Sequence, residues 1–459
     1  MICLHATAIF SCLPDGSLRL QDGGRGRGKM VMIPLKALML AFALLMLSAS
    51  GNGYVLHIFG NANLDDDIND QDLAYLERII EGTEEPTWLS DADNNGEIDE
   101  SDISLVQSII NGTPSEITIV DSDNKTVTVK QPLKRLVVYT HQCAEILQLL
   151  GAEEKVVGVR DTFAEQPNRF PRLSKYQSIG SGGEPDVEAV LKTNPDAILA
   201  YTWYPSEESL DDKLPPEVEV LRFDCECSGQ GPDDMRERVR LLGILMGARD
   251  RAEEYLQWHD AILEQVEDEV RKIPQNERVR VYLESTPEGD RPMSSRTAIG
   301  TGHAAHKLVE MAGGVNIAAG RLPGYEDTAF EYGEIETEWV LSQNPEVIVG
   351  RAMGPGIRPY ENVNDSLLES YAQDIRSLPG FDEVRAVKND GIYIITNDYA
   401  ITPNYPSAVL LLARWFYPDR FADIDPQAAH QEYVNMMGLD YDVREKGAFF
   451  FSEEQAEDL

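Results

Sequence analysis

From residue 115 onward, short apolar runs alternate with stretches whose apolar residues recur every third or fourth position. Ile117-Thr118-Ile119-Val120 and Thr126-Val127-Thr128-Val129 flank a polar Asp-Ser-Asp-Asn turn and predict a hairpin. Arg135-Leu136-Val137-Val138-Tyr139 predicts a buried strand, Glu145 to Leu150 a helix, and Lys155 to Val159 a further strand. Such alternation means a parallel sheet with helices on its faces. A long helical stretch covers 232–273, its apolar side marked by Val239, Leu242, Met246, Tyr255, Leu256, Ile262, Val266 and Val270, with breaks expected at Gly243 and Gly247. Arg278 to Leu283 then predicts a strand, and Gly300-Thr-Gly-His303 leads a helix through Val309 and Met311. Ile392 to Thr396 is a late strand and Pro406 to Phe416 a late helix.

The pattern repeats at an offset of 150 residues, residues 186–200 aligning with 336–350. Glu188/Glu338, Val190/Val340, Leu191/Leu341, Asn194/Asn344, Pro195/Pro345 and Ile198/Ile348 are identical. Each copy reads as a helix stopped at Asn-Pro, because proline disfavours helical geometry in the residue before it, followed by a buried strand. One α/β unit therefore occurs once in each of two lobes.

Length and composition bound the function. A chain of 459 residues exceeds one ordinary core, and 42% apolar content excludes wholesale disorder. The 79 acidic residues against 40 basic ones give a net charge of -39, a surface that repels phosphate backbones and makes nucleic acid a poor partner. Arg25, Arg27, Lys29 and Lys36 precede an apolar run from Ala37 to Leu47 that closes on Ser48, Ala49 and Ser50, the layout of a secretory signal. The run is short for a membrane span of about 20 residues; with Val31 to Leu35 added, an uncleaved signal anchor is the alternative. Either way the chain is expected outside the cytoplasmic membrane, secreted or at the cell surface. Residues 1–29 carry no fold pattern of their own. Cys3 and Cys12 fall in this region, and the three remaining cysteines, Cys143, Cys225 and Cys227, are too few and too odd in number for a disulfide-stapled scaffold.

Two stretches after the signal share one spacing of oxygen-bearing residues. The first places Asn61, Asn63, Asp65, Asn69 and Asp72 at loop positions 1, 3, 5, 9 and 12; the second places Asp91, Asp93, Asn95, Asp99 and Asp102 there. Asp67 and Glu97 stand at position 7, which offers its backbone carbonyl, and such a loop wraps a hard cation. Gly96 allows the sharp turn of the second loop, whereas Asp66 replaces that glycine in the first. An apolar helix face follows each loop: Leu73, Leu76, Ile79 and Ile80, then Ile103, Val106, Ile109 and Ile110. A loop with Asp at position 12 and a helix only on its far side resembles a dockerin repeat. That resemblance implies structural calcium and a cohesin-bearing surface partner; Asn61 and Asp66 depart from its pattern.

The order of hairpin, Lys134-to-Val138 strand, Gly180–Gly183 loop, connecting helices and second-lobe repeat resembles the helical-backbone class of substrate-binding proteins of ATP-binding-cassette importers. The fold implied is α/β, two Rossmann-like lobes joined by a long helical backbone and preceded by a small all-α calcium-loop domain. The divisions expected are 1–50 signal or leader, 51–114 dockerin-like, 115–231 first lobe, 232–273 connecting segment and 274–459 second lobe. The resemblance implies capture of a metal–organic chelate (ferric siderophore, haem or cobalamin) by a monomer that delivers it to a permease with a separate ATPase subunit.

Ligands of parallel sheets gather beyond the carboxyl ends of the strands. The candidate ligand-binding residues there are Tyr139, His141, Asp161, Tyr201, Trp203, Arg351 and Tyr399, with His303 the nearest histidine of the second lobe. In the family, an acidic residue at the repeated helix start of each lobe pairs with permease arginines, which implies that role for Glu188 and Glu338. Enzyme readings lack a constellation: no Gly-x-Ser-x-Gly elbow and no Walker loop occur, and Gly180-Ser-Gly-Gly183 is no dinucleotide fingerprint. The competing class is a dockerin-bearing surface assembly or adhesion protein whose lobes no longer serve transport.

Overall fold

The computed structural model describes residues 9–12, 18–21, 54–225, 232–285, 295–325, 330–354, 356–362 and 364–453. It divides into two units, Met1–Gly53 and Tyr54–Leu459. In the first, Ile9–Cys12 pairs antiparallel with Leu18–Gln21, a hairpin that the sequence reading did not expect. The signal pattern around 25–50 lies outside the described residues.

The second unit holds both lobes. In the first, four parallel strands run in the order Val156–Val159, Leu136–Val138, Ala197–Ala200, Glu219–Arg222, preceded by the antiparallel hairpin Ser115–Val120 and Thr126–Gln131. In the second, Val347–Ala352 lies parallel between Arg280–Ser285 and Ile392–Thr396, and antiparallel strands extend the sheet on both sides. The central strands are buried along their length, as continuous apolar runs require when helices cover both faces.

The internal repeat is deeper than its identical residues. Asn194 and Asn344 both stop their helices in the left-handed conformation, at φ +48 and +46, where asparagine is tolerated better than most residues. The acidic residue after each proline then ties the unit to its neighbour strand in the same way. Asp196 Oδ2 accepts from the backbone N–H of Arg135 at 3.0 Å, and Glu346 Oε2 from that of Arg280 at 2.9 Å. Each arginine in turn donates to the carbonyls that end the repeat helix, Arg135 to Thr193 and Asn194, Arg280 to Gln343.

The connecting segment is two helices, Pro232–Met246 and Arg249–Val270, turned at Gly247 with φ +67. Gly243 does not break the first, contrary to expectation. It lies inside the helix at a close crossing, where an added Cβ would meet Ala252 Cβ at 2.7 Å.

The segment with the two acidic loops carries helices Asp70–Ile80 and Glu100–Ile110, one after each loop. It does not stand apart as the boundary at 114 anticipated. Leu56, Ile58, Ile68, Leu76, Val106 and Ile109 share one core with the hairpin and the first lobe, and Ile58 bridges Ile119 across strands. Polar contacts reinforce the join. Arg240 Nη1 donates to Tyr54 Oη (2.7 Å) and Asp66 Oδ2 (2.8 Å), Arg249 pairs with Asp67 at 3.3 Å, and His57 Nδ1 lies 2.7 Å from Glu237.

Candidate functional site

Between the lobes lies a cavity of about 400 Å³. Its first-lobe wall is built where strands end. Strand Leu136–Val138 runs into helix His141–Leu149, whose first turn is fixed by Thr140 Oγ1 accepting from Cys143 N–H at 3.0 Å. That cap presents His141 and Gln142 to the cavity, and strand Ala197–Ala200 delivers Tyr201 and Trp203 beside them. From the second lobe come His303, Arg351 at the end of Val347–Ala352, and Asp398 in the turn Asn397–Ala400.

Of the residues singled out in the sequence, His141, Tyr201, Trp203 and Arg351 line this cavity, and His303 does as well. Three do not. Tyr139 is buried behind the first sheet, its hydroxyl donating to the Ile179 carbonyl at 3.3 Å. Tyr399 is buried against His430 and Phe449, because successive residues of a helical turn face different ways and Asn397 and Asp398 take the cavity side. Asp161 instead accepts from the Thr162 N–H at 2.8 Å. Sequence reasoning missed Arg160, Arg169, Gln166 and Arg358. Only Arg160, the first residue after strand Val156–Val159, was within reach of the strand-end rule.

The lining is strongly cationic. Four guanidinium groups, Arg160, Arg169, Arg351 and Arg358, share the cavity with one carboxylate, Asp398. Arg169 is fully buried and ties the lobes together. Its Nε donates to Glu145 at 2.7 Å and its Nη1 to Asp398 at 2.9 Å, while Tyr433 donates to the other Glu145 oxygen at 2.9 Å. Arg358 reaches Glu165 across the cleft at 3.1 Å. Arg160 is held by Thr162 Oγ1 at 2.8 Å and by the face of Tyr204, 5.7 Å from the ring centre, neither of which cancels its charge. Arg169 Nη2 and Arg358 Nε are buried donors with no hydrogen-bond partner among the described residues.

Both cavity histidines are held neutral. Burial, then the positive charges of Arg160, Arg169 and Arg358, push the His141 pKa well below the ordinary value. Burial and Arg351 lower that of His303 to about 3; its Nδ1 accepts from the Ala305 N–H at 3.0 Å and its Nε2 lies 2.7 Å from Arg351. Trp203 is 70% exposed and stacks on Tyr201 at 5.3 Å, with Tyr204 adjacent, so the cavity mouth carries an aromatic shelf.

Glu188 and Glu338 are remote from the cavity. Both are exposed in the first turns of short helices, Glu188 paired with Lys192 at 2.8 Å. Among the proposed cation ligands, the second loop gathers the carboxylates of Asp91, Asp93 and Asp102 so that one oxygen of each lies within 4.8 Å of the others. Asn95 and Glu97 stand exposed on the same loop, whose Gly96 has φ +95. The first loop is arranged differently. Asn61 Nδ2 donates to the Leu56 and Asp65 carbonyls, Asn63 Nδ2 donates to Asp65, and Asp67 is drawn to Arg249. Asp72 accepts from the Asn63 and Asn69 N–H groups, and burial raises its pKa to about 6.

The family model of the periplasmic binding proteins matches residues 136–399, which hold every residue lining the cavity except Ile401. The chain belongs to that family. Among curated relatives, this periplasmic binding protein is 23% identical over 335 residues to the molybdate-binding protein MolA of Haemophilus influenzae, covering 67% of this chain and 87% of MolA. It is 23% identical over 273 residues to the high-affinity heme uptake system protein IsdE of Staphylococcus aureus, covering 58% of this chain and 82% of IsdE. Among solved structures, the TroA-like protein FepB of Veillonella parvula superposes with a TM-score of 0.58 at 21% identity, covering 73% of this chain and 99% of FepB. MolA bound to molybdate superposes at 0.53 and 20%, covering 72% and 98%. At these identities the structural likeness establishes the fold, a two-lobed α/β binding protein.

Proposed function

We propose that the protein is the extracytoplasmic solute-binding component of an ATP-binding-cassette importer, and that its ligand is a compact, metal-bearing anion of the oxyanion class. The observation that carries the reading is the set of four arginines around one cavity. Guanidinium groups match oxyanions in forks of parallel N–H bonds. Neutral His141 and His303 add no charge of their own to the lining. A curated relative named for molybdate binding supports the same class.

An anionic chelate, such as a ferric siderophore or haem through its carboxylates, is the second reading. It is favoured by the aromatic shelf of Tyr201, Trp203 and Tyr204, which offers flat apolar area to a conjugated ligand. Such a ligand, cobalamin above all, needs a wider cleft than about 400 Å³. Calorimetric titration with molybdate, tungstate, sulfate, haemin and ferric siderophores separates the two. Tight binding of a neutral sugar or free amino acid, with no response to any anion, would overturn both.

Two further roles complete the proposal. Glu188 and Glu338, one per lobe at equivalent places of the repeat, dock the receptor on its permease. Calcium sits in the second loop, where Asp91, Asp93 and Asp102 converge. The first loop fits a cation less well, because Asp66 and Asp67 are engaged by Arg240 and Arg249. A cohesin-type partner would therefore meet a module whose first loop is already committed within the chain.

A further inference from the structure

The Sγ atoms of Cys143 and Cys225 lie 3.4 Å apart, and both side chains are fully buried. Cys143 is in the first turn of helix His141–Leu149, whose start lines the cavity. Cys225 lies three residues beyond Glu219–Arg222, the edge strand of the first sheet. They are 82 residues apart in sequence, so their meeting is a product of the fold and not of local spacing.

We propose that these two thiols are joined by a disulfide in the exported protein. A protein that works outside the cytoplasmic membrane matures in an oxidising compartment, where paired thiols in reach of one another are oxidised. The reaction is thiol–disulfide exchange with a donor disulfide, of a protein oxidoreductase or a small molecule such as oxidised glutathione. One cysteine thiolate attacks the donor and releases one donor thiol. The second cysteine then attacks the mixed disulfide, releasing the other donor thiol. Two electrons leave the cysteine pair for the donor, and the two cysteine protons end on the two donor thiols. The step belongs to folding. In the finished fold, the contact with Cys143 and burial push the Cys225 thiol well above its ordinary pKa, so little thiolate exists and no donor reaches it. The link anchors the helix that carries His141 and Gln142 to the edge of its own sheet, behind the cavity wall.

The pairing is also selective. Cys227 is only two residues from Cys225, but a bridge between near neighbours closes a small ring and restrains little of the unfolded chain. A bridge from Cys143 closes a loop of 82 residues.

The test is a non-reducing peptide map of the full chain, recovered after export, unfolded in denaturant and alkylated with N-ethylmaleimide near neutral pH so that every free thiol is labelled. The expected result is one cross-linked peptide containing Cys143 and Cys225, absent after reduction, with Cys227 alkylated. Reductant should lower the melting temperature of the wild type and leave that of a Cys143→Ala, Cys225→Ala variant unchanged. Should that variant fail to fold, the wild-type map alone decides. Recovery of Cys143 and Cys225 as alkylated thiols, or a Cys225–Cys227 link in their place, overturns the proposal.

Discussion

Replacing Arg160 by glutamine isolates the contribution of cleft charge to ligand capture. Arg160 is tied only to Thr162 Oγ1, His141 and the face of Tyr204, and none of these is a carboxylate. Its loss therefore strands no buried negative charge, unlike loss of Arg169, which would leave Glu145 uncompensated. The stability cost should be confined to the hydrogen bond to Thr162, the long contact with His141 and one cation–π contact, about 2–4 kcal/mol together. Binding should suffer as well. A hydrogen bond to a charged group contributes about 1.5–3 kcal/mol, which converts to roughly tenfold to hundredfold in Kd. Calorimetry of the wild type, Arg160→Gln and Arg160→Lys with molybdate and tungstate measures this, with thermal melting as the folding control. Lysine should recover part of the loss, since it restores charge but not the fork. Wild-type affinity in the glutamine variant, with its fold intact, would refute the anion reading of the cleft.

His430 is buried beside Tyr360, with its pKa lowered to about 3 by burial; the unfolded chain binds its proton near 6.5, so stability should be present above about pH 6.5 and fall towards pH 3, and His430→Gln should flatten the melting profile across that window. An unchanged slope would remove His430 from the acid sensitivity. Changing both Glu188 and Glu338 to alanine should leave ligand affinity and melting unaltered while lowering uptake and permease-stimulated ATP hydrolysis; normal transport by the double variant would return them to the role of helix-start carboxylates. Calcium titration should find one tight ion per chain, abolished by Asp93→Ala and kept in Asn63→Ala; two equal sites would mean that Asn61 Oδ1, buried without a partner here, ligates after all.

The lobes were legible because their signals are local and doubled. The repeat at 186–200 and 336–350 exposed the two-lobed plan, and the strand-end rule pointed to the segments holding His141, Tyr201 and Arg351. What it could not choose was the residue within each segment. Tyr139 and Tyr399 have the composition of cleft aromatics, yet the first turns behind its sheet and the second follows a helical turn into the core. Arg169 and Arg358 lie on segments without regular periodicity, so nothing in the sequence set them apart from other surface cations. The clamp between the acidic loops and the connecting helices was equally silent. Asp66 looks like a lesion in a calcium loop until Arg240 is seen to hold its carboxylate at 2.8 Å.

A net charge of -39 argues at first against any anionic ligand. Distance resolves the conflict. At physiological ionic strength the screening length is about 8 Å, so exposed carboxylates farther than that from the cavity act only weakly on what is inside it. Of the charged groups that line the cavity, four are arginines and one, Asp398, is a carboxylate; Glu145, Glu165 and Glu361 lie behind that lining, against Arg169 and Arg358. The four arginines and Asp398 are buried or half-buried, where charges are screened least, whereas Glu165 is exposed. The outer surface therefore sets solubility and slows the approach of an anion, while the cleft sets how firmly it is held. On the proposed reading, selectivity follows from the same lining: a neutral ligand can accept hydrogen bonds from the arginines, but only an anion also answers their charge.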